Sequence, residues 1–425
     1  MPVKGTLADV TARFQKAANA SGAGPEDLIG LSVSGGGDSI ALMQLAVRLR
    51  SPKHLRVITI DHGLRPEAKD EIALVAAQAA KLGLHHTVTR WEWDGQGNLQ
   101  AAARAGRWGA IYDWAMMYNM REVWLGHTED DQVETVLMRL ARGSGIDGLT
   151  AMYPLTNRNG LRVLRPMLGI ARADLRDWLR AEQINWCDDP SNEDPRFDRV
   201  RARQMFTQLE TLGLTRKRLL QTIDHMQAAH KSLQAAAHQF AKEHIRQDAG
   251  DLIFAPAAVD LKKADAPRRV MAAAFSWVGG KAYRPRFEQM LETVAKAQNG
   301  ATVTLGGCLL SSDQNNMVRM TREAAATNAV TRPAAHRVNA TGVFWDRRWL
   351  LEGPLADHLT YKALGDGIKA CPNWRDSGMP RVSLLASPSV WNADTLLAAP
   401  LAGLPGGWSA RIVADFHSSA FAIED

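Results

Sequence analysis

Between residues 27 and 127, short apolar runs alternate with longer stretches of helical period. DLIGLSVS (27–34) reads as a buried strand that ends in glycines. Ile40 to Leu49 then places Leu42, Leu45, Ala46 and Leu49 on one face, the mark of an amphipathic helix. HLRVITID (54–61) repeats the strand pattern, residues 67–83 are alanine-rich and helical up to Gly83, and HHTVTRW (85–91) alternates with period two. Residues 99–119 read as a helix capped by Asn98. EVWLGH (122–127) is a short strand, and a helix from Glu129 to Leu140 follows it. Strand–helix alternation at this spacing predicts an α/β domain with a doubly wound, mostly parallel sheet. Ligands of such sheets collect at the carboxyl ends of the strands. Three unusual segments, SGGGDS, DHGLR and GHTEDDQ, each fall where a predicted strand ends.

The pattern changes after Pro190. Residues 200–247 are strongly helical, interrupted mainly by Gly213. Helices are expected around 268–277 and 286–298, with a hairpin over 301–320. The alanine-rich stretch 322–336 reads as a linker, and 342–425 as short strands separated by Gly and Pro. The expected division is a catalytic domain over 1–205, a helical or mixed domain over 206–325 and a small β-rich domain over 336–425. Upstream of the first strand, Leu7, Val10 and Phe14 share one face of a short amphipathic helix.

Composition narrows this picture only a little. The 425 residues are 46% apolar and 23% charged, an ordinary globular balance. The three cysteines, Cys187, Cys308 and Cys371, are far apart, which argues against a structural zinc site and fits a reducing cytoplasm. No apolar run approaches the roughly 18 residues of a membrane span, so no membrane role is expected. The N-terminus has no apolar core of a signal peptide and carries Asp9. A net charge of +6 permits a polyanionic partner without requiring one. Nothing in the chain fixes its oligomeric state, a dimer being one arrangement.

The glycine segment changes the picture more. Ser34, Gly35, Gly36, Gly37, Asp38 and Ser39 follow a buried strand and open a helix. Glycines let backbone N–H groups approach a ligand closely, and a helix N-terminus favours anions. A Walker loop needs a lysine after its glycines, and none is present; the GxGxxG spacing of dinucleotide folds is absent too. Asp38 at the mouth of a phosphate site would repel the anion unless a cation such as Mg²⁺ intervenes.

SGGGDS therefore resembles the SGGxDS signature of the PP-loop, or N-type, ATP pyrophosphatases. That resemblance implies ATP binding, an adenine nucleotide alpha hydrolase-like fold, and cleavage between the α and β phosphates with adenylation of a substrate oxygen. DHGLR (61–65), NLQAAARAGRW (98–108), GHTEDDQVET (126–135), RGSGIDGL (142–149), RPML (165–168) and DDPSNEDPRFDRVRAR (188–203) narrow it further. Together they resemble the tRNA(Ile)-lysidine synthase family over roughly the first 205 residues, and FWDRRWLL (344–351) and VWNADTLLAAP (390–400) extend the likeness loosely. Its members activate C2 of the wobble cytidine in an isoleucine tRNA with a CAU anticodon. Free L-lysine then attacks through its ε-amino group, giving lysidine, AMP and pyrophosphate.

Seen with that resemblance, Ser34–Ser39, Asp61 and His62 are expected near the nucleotide, with Asp38 and Asp131 as the Mg²⁺ ligands. On residue type alone, His62 is a surface histidine beside a capping Asp61, and Arg65 pairs as readily with Glu67 as with a phosphate. Arg104 and Arg107 share a helix face and suit developing negative charge, or else form a solvated basic face. His127, Asp130, Asp131 and Glu134 form the densest cluster. Thr128 is a natural cap for their helix, and acids in a first helical turn also complement the helix dipole. Asp38, Arg104, His127, Asp130 and Asp131 are thus the catalytic candidates, and Glu134 and Arg107 substrate-binding ones. The lysine ammonium, with a pKa of about 10.4, must lose a proton before attack. A carboxylate or His127 would take it, and the sequence leaves that choice open. Arg196, Arg199, Arg201 and Arg203 make the densest basic patch and suit tRNA phosphates, with pairing to Asp194 and Asp198 as the plainer reading. The several tryptophans of the C-terminal region suit core packing better than base stacking.

Two enzyme rivals fail on cysteine count. A tRNA thiolase needs a cysteine pair or cluster near the loop, and the N-terminal half has only Cys187. An amidotransferase-linked synthetase needs a glutaminase cysteine and its own domain. A non-catalytic RNA-binding protein with a decayed nucleotide site fits poorly with intact Ser34, Asp38 and Ser39.

Overall fold

A computed structural model describes residues 4–63, 68–93, 95, 99–158, 160–188, 196, 198–280, 285–327, 332–333 and 342–421. Arg65, Glu67, Asn98 and Asp194 lie outside the described residues, as do residues 328–331 and 334–336 of the expected linker. The chain forms two compact units, one over residues 1–230 and one over 231–422.

The first unit follows the strand–helix alternation. Its elements are α1 (Lys4–Asn19), β1 (Ile29–Ser32), α2 (Gly37–Leu49), β2 (Leu55–Asp61), α3 (Ala68–Lys81), β3 (His85–Arg90), α4 (Leu99–Met117), β4 (Glu122–Leu125) and α5 (Glu129–Ala141). Then come α6 (Ile146–Leu149), β5 (Leu155–Arg158), β6 (Leu161–Leu164), α7 (Arg172–Ala181), α8 (Asp198–Thr211) and the first half of α9 (Arg216–His244), whose residues after His230 belong to the second unit. The six strands order as β3-β2-β1-β4-β6-β5. All pairings are parallel except β5 with β6, a hairpin at the edge.

Apolar side chains cover both faces of this sheet, as a parallel sheet requires. On one face Val10 and Phe14 of α1, Ile40, Leu42 and Leu45 of α2, Val75 and Ala79 of α3, and Leu175 and Trp178 of α7 bury against Leu31, Val57 and Trp124. On the other, Trp108, Ile111 and Trp114 of α4 bury against Ile58, Val123 and Val163. β1 lies between β2 and β4, aligning Ile29 with Leu55 on one side and Glu122 on the other. Strand order reverses direction between β1 and β4. That reversal is the switch point of the sheet, beside which ligands of open α/β sheets bind.

In the second unit β7 (Ile245–Asp248), β8 (Asp251–Phe254), β9 (Val303–Leu305), β10 (Cys308–Ser312) and β11 (Val318–Arg322) form an antiparallel sheet ordered β7-β8-β11-β10-β9. Against it pack α10 (Asp265–Gly279) and α11 (Phe287–Gln298), through Phe275, Val278, Met290 and Val294. The expected hairpin over 301–320 is the β9–β10–β11 meander. Two further sheets follow. One orders β12 (Arg332–Pro333), β15 (Leu359–Ala363), β16 (Pro388–Asn392) and β17 (Thr395–Ala398). The other orders β13 (Gly342–Trp345), β14 (Trp349–Glu352) and β18 (Ser409–Ile412). Trp345, Trp349, Tyr361 and Trp408 fill their shared core, whereas Trp374 and Trp391 are half-buried.

Candidate active site

The loop Ser34–Ser39 leaves β1 and enters α2. Its glycines are dictated locally. Gly35 takes φ +98°, and a Cβ there would stand 3.1 Å from Cβ of Glu71. Gly36 is the N-cap of α2. The hydroxyls tie the loop together. Ser34 N–H donates to Ser39 Oγ (3.1 Å), and Ser39 Oγ donates to the Gly36 carbonyl (2.9 Å). The first helical N–H bonded within this turn is that of Ile40, to the Gly36 carbonyl at 3.0 Å. The amides of Gly36 to Ser39 precede it and lack carbonyl partners in their own helix, which suits an anion.

Across the switch point, β4 runs into Gly126, His127 and the start of α5. A Cβ on Gly126 would lie 3.2 Å from both the Asp38 carbonyl oxygen and Ser39 Cα. Glycine here lets the β4 exit touch the first turn of α2. The expected cap at Thr128 forms: Asp131, three residues on, accepts from Thr128 N–H and Oγ1, both at 2.8 Å, through Oδ2.

One side chain that the sequence did not single out joins the two sides. Arg172, first residue of α7, donates through Nε to Asp38 Oδ2 at 2.9 Å and through Nη1 to Glu134 Oε1 at 3.3 Å. Its Nη2 lies 3.4 Å from Asp131 Oδ1. Two of the expected tRNA arginines also reach this cluster. Arg199 Nη1 donates to Asp131 Oδ1 at 3.4 Å, and Arg203 donates to Glu134 Oε1 at 2.8 and 3.1 Å. Glu134 Oε2 and His127 Nδ1 are buried with no hydrogen-bond partner among the described residues.

Burial and charge pull these groups in different directions. Burial raises the Asp38 pKa, and Arg172 offsets only part of that effect. Burial also works to raise Asp131, but His127, Arg172 and Arg199 outweigh it and its pKa is lowered. Burial pushes His127 down to about 3, so its imidazole is neutral at physiological pH.

Asp130 has a different duty. Its Oδ2 accepts the α7 backbone N–H of Arg172 at 2.7 Å, and its Oδ1 lies 2.9 Å from Arg216 Nη2. It caps one helix from another, and these donors lower its pKa against the pull of burial. Asp61 ends β2, and its Oδ1 accepts the Gly63 N–H at 2.8 Å. His62 meets Trp91 edge-on at 5.7 Å, and burial followed by the Arg107 charge lowers its pKa. Arg107 is half-buried on α4 and also bears on His127, whereas Arg104, one turn earlier, is exposed. Arg196 and Arg201 are exposed, and Arg201 pairs with Asp198.

The structure thus gathers Asp38, Asp131 and Glu134 around Arg172, beside the glycine loop, with Arg199 and Arg203 on the same α5 carboxylates and His127 within reach of the Asp131 charge. The oxygen donors of Asp38 and Asp131 suit magnesium, which takes one or two carboxylates and completes its shell with water and phosphate. Both carboxylates face the same guanidinium and so border one space. No cluster of three or more metal-ligating side chains occurs among the described residues.

The family profile described as a PP-loop domain matches residues 7–210. A curated tRNA(Ile)-lysidine synthase from Ruegeria pomeroyi is 43% identical over 402 residues, covering 93% of this chain and 94% of that protein. Its counterpart from Methylobacterium nodulans is 38% identical over 291 residues, covering 66% and 86%. Among solved structures, the U34-tRNA thiolase NcsA from Methanococcus maripaludis covers 53% of this chain and 79% of its own, with 12% identity and a TM-score of 0.45.

Proposed function

This chain belongs to the tRNA(Ile)-lysidine synthase family, and we propose that it joins free L-lysine to C2 of the wobble cytidine in an isoleucine tRNA bearing a CAU anticodon. ATP supplies the driving force: the C2 oxygen is adenylated with release of pyrophosphate, and the lysine ε-amine then displaces AMP. One observation carries the reading of the site. The glycine loop after β1 and the acidic start of α5 after β4 meet across the switch point of the sheet, bound to one guanidinium.

In this reading the amides of Gly36 to Ser39 receive the pyrophosphate part of ATP. Magnesium, held by Asp38 and Asp131, would neutralise phosphate charge. Glu134 receives the lysine ammonium, because its Oε2 is a buried acceptor without a donor. It then takes the proton that the amine must lose before attack. His127, neutral at physiological pH, accepts hydrogen bonds without adding positive charge beside an incoming cation. Arg107, reaching the same region from α4, stands opposite the growing negative charge. Arg196 and Arg201, exposed, contact tRNA phosphates.

The test is direct. The protein is incubated with ATP, labelled lysine and an isoleucine tRNA carrying a CAU anticodon. Lysine incorporation with stoichiometric AMP and pyrophosphate is expected. Pyrophosphate release without incorporation would leave ATP-dependent activation standing and remove lysine as the second substrate.

A further inference from the structure

A two-residue segment crosses the glycine loop without belonging to any of the motifs above. Cys187 N–H donates to the Gly35 carbonyl at 3.0 Å, making a parallel bridge between Gly36 and Cys187. The neighbouring Trp186 lies against Gly37: a Cβ there would stand 3.3 Å from Trp186 Cδ1. The segment is tied down from behind by two helices. Gln78 of α3 donates to the Asn185 carbonyl at 2.6 Å, and Gln44 of α2 donates to Gln78 Oε1 at 3.0 Å. Glu71, also on α3, backs Gly35 from its other side.

We propose that Trp186 and Cys187 form a positioning strap that sets the orientation of the Gly35–Gly36 peptide and so the affinity for the pyrophosphate part of ATP. In a planar trans peptide the carbonyl and the N–H point in opposite directions. Pinning the Gly35 oxygen to Cys187 turns the Gly36 N–H away from the strap. Gly36 caps α2, so that N–H joins the other amides at the helix start. A peptide between two glycines meets little steric resistance to flipping. Flipped, it would offer a carbonyl oxygen to the phosphate in place of a donor. The strap selects the donor orientation, and Trp186 keeps it seated by packing on Gly37. Cys187 acts through its backbone, so no motif chemistry marks it. Burial also raises its thiol pKa, away from reactivity.

The inference rests on the ATP site proposed above, so the test measures ATP and inorganic pyrophosphate binding to the full-length wild type alongside the variants. Cys187→Pro deletes the N–H, while Cys187→Ala keeps it. Cys187→Pro is expected to weaken ATP roughly fivefold to tenfold, the weight of one hydrogen bond. In turnover the change should fall on KM for ATP, with kcat and KM for lysine within about twofold; Cys187→Ala should track wild type. Trp186→Ala should shift ATP affinity in the same direction, and Trp186→Phe should restore it. A wild type that binds no ATP removes the ATP site itself. A wild type that binds ATP while Cys187→Pro and Trp186→Ala bind it equally well overturns the strap alone. Equal weakening in Cys187→Ala and Cys187→Pro also overturns it, since the thiol would then be the active part. Should Cys187→Pro fail to fold, the Trp186 pair decides: unchanged affinity in Trp186→Ala overturns the strap.

Discussion

Arg172 is the residue on which the site turns, and nothing in its local sequence names it. It lies in IARADLRDWLRA, among several charged residues of an amphipathic helix, 134 positions from Asp38. One signal was present: a cation at the first position of a helix opposes the helix dipole. Three carboxylates from α2 and α5 account for that anomaly. By contrast, Asp38, His127, Asp131 and Glu134 were legible because motif and strand end coincide. Asp130 was legible only as an acid, and the fold shows it capping α7. Arg172→Ala is expected to destabilise the protein by about 3 kcal/mol near neutral pH, the scale of breaking a buried ion pair, and to abolish turnover. The pH dependence has a definite sign. The depressed pKa of Asp131 contributes stability that is present above its unfolded value, near 3.8, and is lost as pH falls through the folded value. Asp38 behaves oppositely: its raised pKa makes acid relieve a cost that Arg172 now holds down. Both effects make the loss in Arg172→Ala largest at neutral pH and smaller below about pH 4. Denaturant unfolding at pH 7 and pH 3.5 measures this, and an equal loss at the two values would sink the charge-based account.

Elements were readable to the extent that their hydrophobic period was long enough to show. Each of the strands β1 to β4 and the helices α2 to α5 appears where the apolar pattern put it, with no end moved by more than three residues. The β5–β6 hairpin and α7 are absent from that pattern-based reading. Each of those strands has four residues and only two positions per face, too few for alternation to register. The Asn159–Gly160 pair between them is nonetheless a strong hairpin dipeptide. Contact between elements was less visible still. The touch of β4 on α2 depends on the missing side chain at Gly126, and a lone glycine after a strand fits an ordinary turn equally well. Gly126→Ala would place its Cβ 3.2 Å from two backbone atoms of the α2 first turn, which cannot swing aside as a side chain can. It is expected to lower stability by about 1–3 kcal/mol through overpacking. It should also raise KM for ATP severalfold, because the displaced turn carries the loop amides. Unchanged ATP kinetics with lowered stability would show that this packing does not govern the loop.

At the scale of the whole chain, sequence and structure divide the protein by different cues. The compact units part between His230 and Lys231, inside α9. That helix runs 29 residues without Gly or Pro, so no composition change marks the place. The second unit was legible as helices followed by short strands, but not as sheets. β8 pairs with β11 more than 60 positions later, and β14 with β18, and such pairings leave no local trace. Charge, in contrast, is a property of the whole chain that the sequence states directly, and its use here is testable. A chain of net charge +6 acting on tRNA should bind it with an affinity that falls steeply with salt. Arg199 and Arg203 pair with the buried carboxylates of Asp131 and Glu134, whereas Arg196 and Arg201 are exposed and Arg201 pairs with the exposed Asp198. Replacing Arg196 and Arg201 together by Ala should therefore weaken tRNA binding. It should also flatten the plot of log affinity against log salt by up to about 2, close to one unit per lost phosphate contact. ATP affinity should stay within about twofold of wild type, because the loop amides are untouched. Replacing Arg203 should act differently: it uncovers Glu134 and lowers turnover with little change in the salt slope. Binding measured from low to moderate salt separates the two cases. An unchanged slope in the Arg196/Arg201 variant would take both residues off the tRNA path.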